Sequence, residues 1–242
     1  MQLVLLITFL TGIVRGFAGF GSGMIIGPST AAFFGPQMAL VMITILDIAP
    51  TLTLVWPARK HVIWRELIPV IIGYALLVPL GVWVLISGEP IALRWFISVS
   101  ILLAVAILWS GWKYKGPRTN PISLGIGGVG GIMGAAAALP GPAALIYWLV
   151  STINAAQVRA NMIWYLFLTD LIVIAGYMIA DIYTWEGFLR GLLCVPGYFF
   201  GILIGARFFT NSSEALYRNI AFLIILIAAI TSLPILDALL GR

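Results

Sequence analysis

Seven short polar or proline-containing breaks, near residues 35, 57–63, 88–90, 113–120, 154–157, 181–186 and 210–216, divide an otherwise apolar chain into eight segments. No other feature constrains the fold so strongly. About 20 apolar residues cross the hydrocarbon core of a bilayer as an α-helix, and a backbone in lipid must satisfy its own hydrogen bonds. Composition removes the soluble alternatives: 62% of the 242 residues are hydrophobic and 9% are charged, against roughly 25% charged in a soluble domain. Too few polar side chains remain to coat a water-facing surface. The expected fold class is all-α, a polytopic membrane protein without a soluble domain. Trp56, Trp64, Trp109, Trp112, Tyr114, Tyr183 and Trp185 stand at segment ends, where amphipathic rings sit at headgroup level.

The balance of 13 Lys and Arg against 8 Asp and Glu gives a net charge of +5. The cations gather beside apolar segments, at Arg59, Lys60 and Arg65 and at Lys113, Lys115 and Arg118. That is the positive-inside bias of membrane proteins, so the loops 57–63 and 113–120 are expected to be cytoplasmic and nucleic acid is not an expected partner. One cysteine, Cys194, and one histidine, His61, argue against an internal disulfide and against a metal cluster, and no cofactor is expected. The apolar start, Met1 to Leu10, lacks a basic n-region and reads as a retained membrane segment.

The chain repeats itself. Gly73-Tyr74, Gly81 and Arg94 return 124 positions later as Gly197-Tyr198, Gly205 and Arg218, and Gln37, Met42, Ile43 and Leu46 return 120 positions later as Gln157, Met162, Ile163 and Leu166. The expected organisation is a first membrane repeat (1–112), a basic linker (113–120) and a second repeat (121–242), four segments each, forming one transport unit.

Each repeat opens with an odd segment. Residues 2–34 and 121–153 are 33 residues long, too long for one ordinary span and short of the roughly 40 needed for two. Gly19, Gly21, Gly23 and Pro28 interrupt the first; Gly125 to Gly131 thin the second and Leu139-Pro140-Gly141-Pro142 cuts it. Two half-helices per segment are expected. If both segments return to their starting side, the inside holds Arg59, Lys60, Arg65, Lys113, Lys115, Arg118, Arg159, Arg207 and Arg218, and the outside Arg94, Arg190 and Arg242. If both cross, Arg159, Arg207 and Arg218 move outside and Arg190 and Arg242 inside. The count favours return, hence inverted repeats.

A helix broken in the membrane leaves N–H groups unpaired, and its N-terminus carries partial positive charge. Paired breaks in two repeats therefore predict an anion site near the midplane, with Gly19, Gly21, Ser22, Gly23, Gly130, Gly131, Pro140 and Gly141 as candidate lining. The competing reading is that the glycines only permit close helix packing. Ser22 could donate to a bound oxyanion or cap the second half-helix. Arg15, just before the first break, could hold a sulfonate, sulfite or carboxylate in bidentate fashion, or could snorkel or neutralise Asp47. Asp47 and Asp170, 123 positions apart within corresponding segments, are candidate proton-coupling residues, or could pair with arginine or cap a kinked helix. Arg94, Arg218, Arg159 and Arg207 read as headgroup anchors.

Two motif matches fail on context. Gly125, Gly127 and Gly130 match a dinucleotide pattern, but no strand precedes them. Ser22 has no histidine at membrane depth to activate it, since His61 lies in a basic loop.

The string Gly16-Phe17-Ala18-Gly19-Phe20-Gly21-Ser22-Gly23 followed by Pro28, the run Arg59-Lys60-His61-Val62-Ile63-Trp64-Arg65 leading into Pro69, Gly73, Pro79 and Gly81, and the duplicated eight-segment layout resemble the sulfite exporter TauE/SafE family over essentially the whole chain. The second half departs from the first: Ala135 to Ala138 fill the space before Pro140. The resemblance implies a bacterial inner-membrane permease exporting small sulfur-containing anions such as sulfite, sulfoacetate or related organosulfonates, without ATP. The residues agree on an anion and contain no P-loop.

The resulting expectation is a secondary transporter of small oxyanions, proton-coupled and working by alternating access. The alternatives are a passive anion channel and the same transporter type for a non-sulfur organic anion; no nucleophile–base pair or metal set supports an enzyme. The expected partners are the anionic substrate and the bilayer. A homodimer could use a small-residue face such as Gly73 to Gly81.

Overall fold

The computed structural model describes residues 2–18, 22–111, 116–148 and 155–208, together with Leu223, Leu226, Ile230, Leu233 and Ile235. In chain order the described helices are α1 (Gln2–Ala18), α2 (Ser22–Phe34), α3 (Pro36–Ala58), α4 (Trp64–Ser87), α5 (Pro90–Trp109), α6 (Asn120–Ala137), α7 (Gly141–Trp148), α8 (Ala155–Ile179) and α9 (Trp185–Phe208). Their boundaries follow local chemistry. Gly35 at φ 83° separates α2 from α3, and Pro36 opens α3 where a missing N–H costs nothing. Pro90 opens α5, and Gly111 at φ 68° follows its end.

Among the described residues, four helices are long and apolar enough to cross a membrane: α4, α5 over Pro90–Ile107, α8 over Ala156–Ile179 and α9 over Trp185–Gly205. Shorter apolar stretches cover Gln2–Gly16 and Pro36–Ile48. The expected eighth segment and Arg218 lie outside the described residues, apart from the five isolated positions, as do Lys113 and Lys115 of the linker and Trp112 and Tyr114.

Large apolar residues cover the outside of the helices as well as filling their core, and polar residues lie buried between them. Leu76, Trp83, Ile91, Leu103, Leu193 and Phe200 are exposed, whereas Thr8, Thr11, Arg15, Ser22, Thr44, Asp47, Thr51, Asn161 and Thr169 are buried. An apolar exterior suits lipid, and the buried polar set finds partners within and between helices, Asn161 Nδ2 excepted. Trp56, Trp64, Trp109 and Trp185 are exposed at helix ends, as a belt requires. Tyr183 departs from that expectation. Its hydroxyl lies 2.6 Å from Thr44 Oγ1 and its ring packs on Tyr177, so it belongs to the helix core.

The two most extensive helix pairs are α4 with α6 and α1 with α9. Both pairs join a helix from the first half of the described chain to one from the second. Glycines make both contacts: a Cβ at Gly127 or Gly131 would strike the Val70 or Tyr74 carbonyl, and one at Gly201 or Gly205 would strike the Phe9 or Ile13 carbonyl. Backbones this close gain dispersion contacts that lipid cannot match. The Gly73 to Gly81 face, a candidate dimer surface from sequence, is used inside the chain: Gly73 abuts the Leu124 backbone and Gly81 abuts Ile132 and Ala135.

Candidate functional site: a charged cavity between helix ends

Two stops in the described helices lie near one place. α1 is described to Ala18, with Arg15 in its last turn, and α2 from Ser22. Further along the chain α6 ends at Ala137; Ala138 adopts a left-handed conformation at φ 55°, its N–H returning to the Gly134 carbonyl at 3.0 Å, before α7 starts at Gly141. The two stops touch. Gly23 lies so close to the Ala138 carbonyl that a Cβ would overlap it. Tyr165 Oη donates to the Pro140 carbonyl at 3.0 Å and Tyr177 Oη to the Ala135 carbonyl at 2.5 Å, satisfying oxygens that the helix end frees.

Around the first stop stands a buried polar cluster. Arg15 Nη1 lies 2.5 Å from Asp47 Oδ1 and donates to Ser22 Oγ at 2.5 Å, while Nη2 donates to Thr51 Oγ1 at 3.0 Å. Ser22 Oγ donates to Asp47 Oδ2 at 2.8 Å and Tyr198 Oη to Asp47 Oδ1 at 2.8 Å; Thr51 Oγ1 donates back to the Asp47 carbonyl at 2.6 Å. Both Asp47 carboxylate oxygens are thus occupied. Arg15 and Asp47 are 7% and 8% exposed, a depth at which an unpaired charge would be prohibitive.

Asp170 stands differently. It lines the same cavity from α8, yet its buried Oδ2 has no hydrogen-bond partner. The cavity between these groups is walled by Arg15, Ser22, Gly23, Asp47, Tyr74, Ala138 to Pro142, Asp170 and Tyr177, with Leu40, Ile43, Leu166 and Val173 supplying apolar wall. The first described residues of α2, Ser22 and Gly23, and the N-terminus of α7 at Gly141 line it.

Of the residues expected from sequence, Arg15, Ser22, Gly23, Pro140, Gly141, Asp47 and Asp170 come together here. Gly19 and Gly21 lie outside the described residues. Gly130 and Gly131 are not among the lining: Gly130 lies under the Tyr165 hydroxyl and Gly131 against the Tyr74 backbone, so they are packing glycines. Ser22 bonds to Arg15 and Asp47. Arg15 takes the neutralising role towards Asp47 while still facing the cavity.

Tyr198, Tyr74, Tyr177 and Thr51 were not anticipated as site residues. A signal existed for two of them, since Gly-Tyr recurs as Gly73-Tyr74 and Gly197-Tyr198. Away from the cavity, Arg118 joins the linker to both repeats. It donates to Glu66 Oε2 at 3.2 Å and to the Tyr147 carbonyl at 2.6 Å. Cys194 is a free, buried thiol in α9. Among the described residues no group of three His, Cys, Asp or Glu could hold a metal.

Among the described residues all regular structure is helical, several helices are of membrane-crossing length, large apolar side chains are exposed, and Arg15, Asp47 and Asp170 line an internal cavity; the chain is a multi-pass membrane protein. The chain belongs to the sulfite exporter TauE/SafE family, whose family model matches residues 4–232. Neither the curated proteins nor the solved structures contain a significant match.

Proposed function

We propose that the chain is a secondary transporter that exports small sulfur-containing oxyanions, such as sulfite or organosulfonates, across the bacterial inner membrane, with proton coupling through Asp47 or Asp170. The observation that carries this reading is the convergence of Ser22 and Gly23 at the described start of α2, the N-terminus of α7 and Arg15 on one cavity. Helix N-termini offer N–H donors and partial positive charge to an oxyanion, and a guanidinium adds bidentate hydrogen bonding. The family's description supplies the sulfur anion.

The reciprocal packing of α1 on α9 and of α6 on α4 supports an exchange of opening helices between two inverted repeats. In that arrangement α1–α2 and α6–α7 are the half-helices of two broken segments that meet at the midplane. Rocking one helix group against the other around the cavity then exposes it to alternate sides. The loops 57–63 and 113–120 face the cytoplasm on this reading.

The test is uptake by proteoliposomes of sulfite, sulfoacetate, taurine, sulfate and acetate, with and without a pH gradient. Saturable uptake of a sulfur oxyanion that responds to the gradient is expected. Non-saturating, gradient-independent flux identifies a passive anion channel instead. Correctly inserted protein that moves none of these anions overturns the substrate class.

A further inference from the structure

We propose that an anion entering the cavity takes up a proton on Asp170, so that anion and proton cross together and in the same direction, export then being driven by the outward anion gradient rather than by the inward proton gradient. The inference rests on the transport reading above and adds the carrier and the sign of its coupling. Charged groups reach the cavity from three described helices: Arg15 from α1, Asp47 from α3 and Asp170 from α8. Tyr74 from α4 and Tyr177 from α8 are its phenols, and Tyr198 from α9 is engaged on Asp47. The parts of α2, α6 and α7 that line it carry no titratable side chain.

The two carboxylates differ in what they can tolerate. Asp47 is paired with Arg15 and accepts from Ser22 and Tyr198, so both its oxygens have partners. Asp170 Oδ2 is buried without a partner, an arrangement that penalises the charged form. With both carboxylates ionised, the lining of one arginine and two aspartates carries a single net negative charge. A monovalent anion would double it, with Asp170 as the unbalanced neighbour.

A proton on Asp170 removes that repulsion and gives the carboxyl an O–H that can donate to the bound oxyanion. The proton comes from water on the side where the anion enters and leaves to water where the anion is released. No other bond changes. By linkage, whatever protonated Asp170 adds to anion affinity, the bound anion adds to proton affinity. Exchange of an anion for a proton would need the opposite sign, with the cavity losing a proton as it gains negative charge.

Methanesulfonate is the probe, because it stays charged across the working pH range and does not enter protein-free liposomes as a neutral acid. Labelled methanesulfonate uptake by wild-type proteoliposomes is followed with a pH-sensitive dye in the lumen and no imposed gradient. Acidification of the lumen that tracks uptake is expected, and the half-saturating concentration should rise with pH, approaching about tenfold per unit where Asp170 titrates. In a thermal-shift titration, Asp170→Asn should lose that pH dependence and Asp170→Glu should keep its sign.

Uptake with an unchanged or alkaline lumen overturns the coupling and leaves the transport reading standing. If no sulfur oxyanion is taken up, the transport reading falls and this inference with it. Both wild-type measurements decide the matter even if the variants fail to fold.

Discussion

Tyr198 and Asp47 are 151 positions apart, on α9 and α3, and Tyr198 Oη donates to Asp47 Oδ1 at 2.8 Å. The bond places a residue from late in the chain on the carboxylate that neutralises Arg15. Tyr74, which shares the Gly-Tyr pair of Tyr198, and Asp170 line the same cavity, where Asp170 Oδ2 is left without a partner. The two carboxylates of the cavity are thus held in different states of pairing, one locked and one open.

Breaking the Arg15–Asp47 pair should cost more than removing it. Asp47→Ala leaves a buried guanidinium without its counter-charge, and Arg15→Met leaves a buried carboxylate; each should destabilise by about 3–5 kcal/mol. Arg15→Met combined with Asp47→Leu should unfold closer to the wild type while losing transport. Tryptophan-fluorescence melting in detergent reads the difference, and additive single effects would sink the idea.

Tyr198→Phe should cost more than Tyr183→Phe. The first removes a bond to a charged acceptor, worth about 1.5–3 kcal/mol; the second removes the neutral contact with Thr44, worth about 0.5–1.5 kcal/mol. Paired melting curves in one detergent check the order, and equal shifts would show that the phenol does not matter to the Asp47 charge.

Glycine to alanine changes on one helix should separate by position. Gly131→Ala drives a methyl into the Tyr74 carbonyl across the α4–α6 contact and should reduce folded yield. Gly125→Ala meets nothing within 4 Å and should be neutral or stabilising by up to about 1 kcal/mol. Monodisperse yield by size-exclusion chromatography distinguishes them. Similar losses for both would contradict the close approach of α4 and α6.

Topology is open to single-cysteine labelling in a Cys194→Ala background. With opening segments that return to their own side, Lys60→Cys and Arg159→Cys should react from the cytoplasmic face, and Glu89→Cys and Thr184→Cys from the other. All four positions are exposed. Labelling of Arg159→Cys from the face opposite Lys60→Cys would make the repeats parallel.

Much was legible in the chain. The Gly35-Pro36 boundary, the stop at Leu139-Pro140, the helical class and the gathering of Arg15, Ser22, Asp47 and Asp170 at membrane depth rest on local chemistry. Glycine and proline act on the backbone where they stand, and lipid admits few backbone solutions. Less legible was which glycines serve the cavity. Gly130, Gly131 and Gly141 read alike along the chain, yet the first two pack on tyrosines and the third lines the site.

The sequence by itself determined that this chain forms apolar helices interrupted at two related places, because composition and backbone chemistry act on each segment separately. Tertiary structure alone decided that Tyr198 meets Asp47, that Arg15 is already neutralised and that Asp170 Oδ2 is not satisfied. Helices that are apolar on nearly every face carry little record of which face turns inward. Their rotation is set by where glycines let two backbones approach, and those contacts join residues from opposite halves of the chain.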